Sequence, residues 1–476
     1  MDNQPLAPTI PKQDIFNANV TPQPVVTPPP AKPDNPHANA GKNFSMKLIF
    51  IILGGIIVLL LIILGARALV TKGNQSGEVT LTWWGLEEDE EAVAPLIAEY
   101  KQKNPNVTIN FVKQSQENYR ERLTNALANG KGPDIFEFHN SWVPMFANNL
   151  SPSTSDYSKI FYPVVTNDLK TKNGFVGIPL EMDDIALYIN QDIFHAYGKN
   201  APTTWDDFRK LAQQLTIFDS KGKIQQAGAA MGITNNMDYW QDVLALLMLQ
   251  NGADLTNPNT LVGQSALTFF TNFSKTDRVW DYTLPTSTTD FTNGQLAMYF
   301  GTYKDAYKIK QKNPNLHFAI VPVPQLPSTG IANPSVAYAS YWVNGVSNKS
   351  LNSTAAWNFL EFMSSSESLQ ELYKNEVKIR GYGNLYPRMD MQNLLLSDLS
   401  AGAFVYQASF AQSWYLHANT FDGDTGINTQ IAKPYGDAVD AANSGTSDSA
   451  FAAEQSILNQ ILASYGLVNA LPVATP

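Results

Sequence analysis

The 476-residue chain reads as an α/β protein preceded by one transmembrane helix and a disordered tail. Three observations predict this. From Val79 onward, short segments that alternate apolar and polar side chains trade places with segments that are apolar at helical spacing. Residues 48–65, LIFIILGGIIVLLLIILG, include no charged or polar side chain. Ahead of them, prolines crowd a stretch with scarcely an aromatic and with neither period.

Residues 1–45, with the run TPQPVVTPPPAKPDNPHANAGK, cannot bury enough apolar surface to offset chain entropy, so they are expected to be disordered and partly extended. Composition favours a solvated spacer over a proline-rich docking motif. The transmembrane helix is assigned to residues 46–70. Its apolar run of roughly 18 residues, at about 1.5 Å rise, is about 27 Å long and matches the hydrocarbon thickness. Ala66-Arg67-Ala68 has the small-x-small spacing of a cleavage site, so a cleaved signal peptide is the alternative. The long tail ahead and the length of the apolar run favour an uncleaved anchor. Lys42 and Lys47 face Arg67 and Lys72 across it, which leaves orientation open on charge alone. Residues 71–77 form a polar linker.

After the linker, Val79, Leu81 and Trp83 alternate as in a strand, residues 91–103 have helical spacing and residues 107–112 alternate again, a β-α-β unit. Residues 119–129 continue as helix and 134–138 as strand, which predicts a mostly parallel sheet covered by helices. Further helices are predicted over residues 205–215, 240–251, 354–363 and 449–464. The length exceeds what one compact core holds, so two or three cooperating units are expected.

A formal charge of −10 speaks against nucleic-acid binding, where affinity comes from Lys and Arg neutralising phosphates. The absence of cysteine excludes disulfides, thiolate metal sites, catalytic thiols and a lipidated cysteine. The sequence carries no G-x-x-x-x-G-K-[ST], complete G-x-G-x-x-G, G-x-S-x-G or H-E-x-x-H pattern. His139, His195, His317 and His417 lack ligand-like spacing, and residues 422–426, DGDTG, lack the glycine and terminal glutamate of a calcium loop. No cofactor and no metal are expected.

Aromatic residues and carboxylates instead gather where α/β loops emerge. Trp83-Trp84-Gly85 ends the first strand, and His139-Asn140-Ser141-Trp142 follows PDIFEF. In open α/β sheets ligands sit beyond the carboxyl ends of strands, so both loops are expected at one crevice. Glu181, Asp183 and Asp184 follow Gly177-Ile178-Pro179, and aromatic pairs recur at Tyr239-Trp240 and Trp414-Tyr415. A ring covers the C–H face of a sugar while carboxylates and amides bond its hydroxyls, a combination suited to a neutral polyol. Trp83 shares the phase of Val79 and Leu81 and reads as core, whereas Trp84 points the other way. Core packing competes with binding as the role of each aromatic.

These residues, from about Glu78 to the end, resemble the extracellular solute-binding proteins of the sugar-binding type, the receptor subunits of ATP-binding-cassette importers. The resemblance runs through VTLTWWG, KQKNPNVTINF, GKGPDIFEF and GFVGIPLEMDDIALYINQDIF. It continues in APTTWDDFRKLAQQLT, where Thr204 can cap a helix that Asp206 and Asp207 favour, and in FTNGQLAMYFGTY and TAAWNFLEFMSSSES.

The resemblance implies a two-lobed, periplasmic-binding-protein-like fold with hinge crossovers, lobe one from 78–184 and 302–364, lobe two from 185–301 and 365–476. Solute would bind between the lobes and close them. Carried onto this sequence, the implied ligand residues are Trp84, Glu87, Phe138, Asn140 and Trp142, with Glu181 at the first crossover. Tyr239 and Trp240 follow in lobe two, Gly301 and Tyr303 at the second crossover, then Trp342, Trp414 and Tyr415. Trp342 falls where the family often has a glycine-rich loop that this chain lacks.

The implied function is a non-enzymatic receptor that delivers a carbohydrate-like solute to permease subunits. Residues 48–65 would lie in the bilayer, with the C-terminal domain outside the cell membrane and the tail inside. A surface glycoside hydrolase using Glu181 and Asp183, and a ligand-sensing ectodomain, are the alternatives.

Overall fold

In a computed structural model of the protein, residues 77–327, 334–445 and 450–468 are described. The expected tail, the apolar run 48–65 and the linker up to residue 76 lie outside them. Among the described residues no helix is long and apolar enough to cross a membrane.

The strands that position the site are, in chain order, β1 (Val79–Gly85), β2 (Val107–Lys113), β3 (Ile135–His139), β4 (Ala186–Asn190), β5 (Ile217–Phe218), β6 (Ile224–Ala229), β7 (Leu296–Gly301), β8 (Phe318–Val321) and β9 (Trp342–Val346). They form two sheets, one in the order β9-β3-β1-β2 and one in the order β8-β4-β7-β6-β5. The helices that cover them or frame the cleft are α1 (Glu90–Lys103), α2 (Tyr119–Ala128), α3 (Pro163–Leu169), α4 (Trp205–Gln214), α5 (Trp240–Gln250), α6 (Leu261–Lys275), α7 (Tyr303–Lys312), α8 (Ser353–Met363), α9 (Ser366–Arg380), α10 (Ile427–Asn443) and α11 (Ala450–Ser464).

The parallel expectation holds in the first sheet, where β1 runs parallel to β2 and β3, and fails in the second. There β4 is antiparallel to both β7 and β8, while β6 and β7 are parallel. The crossovers explain this. A strand entering from the other lobe starts at the cleft end of its sheet, and one that leaves finishes there, so the two run in opposite senses. The same logic turns β9 antiparallel to β3, with Trp342 opposite His139.

The expected lobe boundaries at 302 and 365 are corrected by two contacts. Gly301-Thr302 is no crossing: Thr302 and Asp305 form a capping box that starts α7, and the chain then adds β8 to the second sheet. The chain is back in the first sheet at β9. Beyond residue 365, α9 packs on α1, and Asn375 Nδ2 donates to the Ala92 carbonyl at 3.1 Å, so α9 belongs to the first lobe.

Each lobe has an aromatic centre. In the first, Trp83 is fully buried, 4.7 Å from Phe111 and 5.5 Å from Phe359 between ring centroids, and its indole N–H donates to Asn344 at 2.7 Å. In the second, Trp205, Phe208 and Phe300 pack together. Thr204 caps α4 by accepting from the Asp207 N–H at 3.2 Å, as its sequence context predicts. Gly228 lets that helix lie directly on β6, because a Cβ there would collide with the Ala212 carbonyl.

Candidate functional site

A cavity of about 480 Å³ opens where the cleft ends of the two sheets meet. The first lobe contributes Glu87 just past β1, His139 at the end of β3, and Ser340 and Trp342 at the start of β9. The second contributes Asp238, Tyr239, Asp242 and Thr288 from loops and helix starts. Glu181 and Asp183 come from the first crossover, and Thr302, Lys304 and Asp305 from the start of α7.

Glu87 is held in place from below. The buried carboxyl of Glu137 accepts the backbone N–H groups of Leu86 and, at 3.0 Å, of Glu87, fixing the turn after β1. Burial and the neighbouring Glu88 push the Glu137 pKa well above the ordinary carboxylate range. Lys304 Nζ lies 2.5 Å from Glu87 Oε2 and 3.6 Å from Glu181 Oε2. Burial opposes ionisation of Glu87, but Lys304, with help from Lys113, more than offsets it and leaves its pKa below the ordinary value. Glu181 goes the other way, because burial outweighs its share of Lys304. Its carboxylate also accepts the Trp342 N–H at 2.9 Å.

Asp183 Oδ1 accepts two backbone N–H groups, from Asp184 at 2.9 Å and Tyr303 at 3.1 Å. Burial and Glu181 raise its pKa well above the usual range. Asp305 Oδ2 collects the hydroxyls of Tyr239 at 2.6 Å and Tyr299 at 3.1 Å along with the Thr302 N–H. Asp238 Oδ2 accepts from Ser287 Oγ, the Thr288 N–H and the Thr288 hydroxyl.

On the opposite side, the Trp342 ring stands 5.3 Å from Trp142 and 5.4 Å from His139, both edge to face. His139 Nε2 is 2.9 Å from Ser340 Oγ, and burial with the nearby His417 pushes its pKa well down, so it offers a neutral hydrogen-bonding ring. The wall thus presents the rings of Tyr239, Trp342, Tyr382 and Phe421, several carboxylate acceptors and hydroxyls, the group set that holds a polyol. Among the described residues, no three acidic or histidine side chains converge to hold a metal ion.

Of the residues expected at a ligand, Glu87, Glu181, Tyr239 and Trp342 lie on this cavity. Tyr303 and Gly301 adjoin it through backbone: Tyr303 donates its N–H to Asp183, and Gly301 precedes Thr302, with no room for a Cβ beside the Tyr299 ring. Others lie behind the wall. Trp142 supports Trp342 and donates its indole N–H to Asn428 at 3.0 Å. Asn140 donates to Asp168 at 3.0 Å and receives the Tyr341 N–H.

The remaining expected residues sit farther back. Phe138 alternates with His139 and is buried against Phe136 and Phe146 in the first core. Trp84 is half-buried against that core, Trp240 packs against Gly436 of α10, and Trp414 packs against Tyr415 and Tyr435. Reading the sequence alone misses Lys304, Asp305, Asp238 and Asp242. Thr302-x-x-Asp305 is a visible capping signature, but it announces a helix start rather than a cleft.

Residues 95–393 match the family described as bacterial extracellular solute-binding protein. The chain belongs to that family. Among curated relatives, this solute-binding protein is 24% identical over 329 residues to the maltotriose-binding protein of Pyrococcus abyssi, an alignment covering 62% of this chain and 65% of the relative. It is 22% identical over 156 residues to the multiple sugar-binding protein of Streptococcus mutans, covering 30% of this chain and 36% of the relative. It therefore spans under two thirds of either curated relative.

Solved structures match far more of their own length. They include the cyclic α-maltosyl-1,6-maltose binding protein from Arthrobacter globiformis, with TM-score 0.66 and 17% identity over 82% of this chain and 100% of that one. A cyclo/maltodextrin-binding protein complexed with maltotetraose gives TM-score 0.65 and 15% identity over 82% and 99%. The sugar-binding protein MalE from Xanthomonas citri gives 0.65 and 18% over 81% and 98%. The fold is thus the two-lobed α/β fold of periplasmic binding proteins.

Proposed function

We propose that the protein captures a carbohydrate-like solute between its lobes and delivers it to the permease subunits of an ATP-binding-cassette importer, without chemical conversion. The observation that carries this reading is the cavity wall, in which Trp342 and Tyr239 from opposite lobes flank the carboxylates of Glu181 and Asp183. Rings cover the C–H faces of a pyranose and carboxylates take its hydroxyl protons. The sugars named for its relatives support the same substrate class. In this reading residues 48–65 anchor the protein in the cell membrane and keep the receptor near its permease, raising its effective concentration there.

Calorimetric titration of the full-length protein against neutral oligosaccharides, maltotriose among them, tests the reading. Useful affinity near micromolar corresponds to about −8 kcal/mol. Absence of heat and of any melting shift across the panel would remove its support. A glycosidase needs two carboxylates about 5–10 Å apart across the scissile bond. Release of a chromogenic aglycone that is lost in Glu181→Gln would replace the receptor by that enzyme.

A further inference from the structure

Six carboxylates stand on the cavity wall against two ammonium groups. Lys304 neutralises Glu87 at 2.5 Å, and the mostly exposed Lys308 reaches Asp305 at 3.3 Å. Glu181 shares Lys304, and Asp242 rests on His417 at 3.2 Å and the Ala418 N–H. Asp183 and Asp238 form no contact ion pair among the described residues, and Lys304, spent on Glu87 and Glu181, acts on Asp183 only from a longer distance. Asp183 is the sharper case, because it is only 6% exposed and lines the cavity. Both of its hydrogen bonds end on Oδ1, and Oδ2 accepts none from the described residues.

A carboxylate buried without a cation is costly, and a cation arriving with the ligand offsets that cost. Metal ions fit poorly here, since no ligand triad converges among the described residues. Aromatic rings on the same wall, Trp342 and Tyr239 among them, are the groups that attract an organic cation. We propose that the solute carries a protonated amine, as an amino sugar does, and that this ammonium docks on Asp183 in a field to which Asp238 and Asp242 add. The inference rests on the carbohydrate reading of the cleft and narrows it.

The test compares three probes on the full-length protein by calorimetry: the β-1,4-linked glucosamine trisaccharide, its fully N-acetylated form, and spermidine. The free-amine trisaccharide should bind at least about tenfold more tightly than the acetylated one at low salt, with the gap narrowing as salt screens the charges. Asp183→Asn, which keeps the acceptor for the two N–H groups, should abolish the gap. Asp238→Asn should narrow it and serves if the first variant does not fold.

Equal or tighter binding of the acetylated sugar would overturn the amine inference while leaving the importer reading intact. Binding of spermidine with neither trisaccharide would overturn both. Loss of the gap in neither variant would also overturn the assignment to Asp183.

Discussion

On the first lobe's side the cleft wall is a stack of rings, with Trp342 against Trp142 and His139 and the Trp142 N–H tied to Asn428. On the second lobe's side it is a relay of hydrogen bonds, in which Asp305 gathers two tyrosine hydroxyls and a backbone N–H while Asp238 gathers three donors from Ser287 and Thr288. The stack derives its shape from van der Waals contact, spread over many small terms. The relay is directional, so one missing acceptor leaves several donors unpaired at once.

The largest expected effect therefore falls on the relay. Asp305→Ala should strand the buried hydroxyls of Tyr239 and Tyr299 and uncap α7, lowering unfolding free energy by about 4 kcal/mol in urea titrations. A loss below about 1 kcal/mol would mean that water replaces the carboxylate and the relay is dispensable.

Next comes the clamp behind the stack. Asn428 accepts from Ser141 and from Trp142, each at 3.0 Å, and donates to the Tyr415 carbonyl at 2.8 Å. Asn428→Ala should cost about 2–3 kcal/mol, whereas Asn428→Asp, which keeps the acceptor, should cost less. Equal costs would show that the acceptor is not what matters.

The stack itself is probed by binding. Trp342→Leu keeps an apolar filler but removes the flat face, so oligosaccharide affinity should fall about tenfold, or about 1.4 kcal/mol, while the melting temperature moves little. A change in melting without a change in affinity would move the ring from binding to scaffold.

The smallest effect lies away from both walls. Glu376 is buried beside Arg380 at 3.0 Å, and burial, only partly offset by the arginine, pushes its pKa up to about 7. Because the folded carboxyl keeps its proton where the unfolded one has lost it, its stabilisation is complete at low pH. It is lost as pH rises from the ordinary 4.5 through 7. Glu376→Gln should flatten the decline between pH 5 and 8 by on the order of 1 kcal/mol. A steeper decline would contradict the sign.

Helices with a strong apolar period were legible to within a residue or two: 91–103 against Glu90–Lys103, and 205–215 against Trp205–Gln214. The helix Ser366–Arg380 went unread because only a short serine run separates it from α8. Ile427–Asn443 went unread as well, carrying Pro434 inside it. Loop position and residue type point at Glu181 and Tyr239, and the family resemblance adds Glu87 and Trp342. Phe138 was drawn in by its segment, although strand alternation turns it to the core while His139 faces the cavity. Asp305 could not be read as a wall residue, since its partner Tyr239 lies 66 positions away and only the fold joins them.

The indole bonds have a spectroscopic consequence. The N–H groups of Trp83, Trp142, Trp205, Trp280 and Trp357 are all held by protein acceptors. Of the nine tryptophans, Trp342 is the one on the cavity wall. A solute entering the cleft is therefore expected to be reported through Trp342 and the Trp142 ring 5.3 Å behind it, with no label attached.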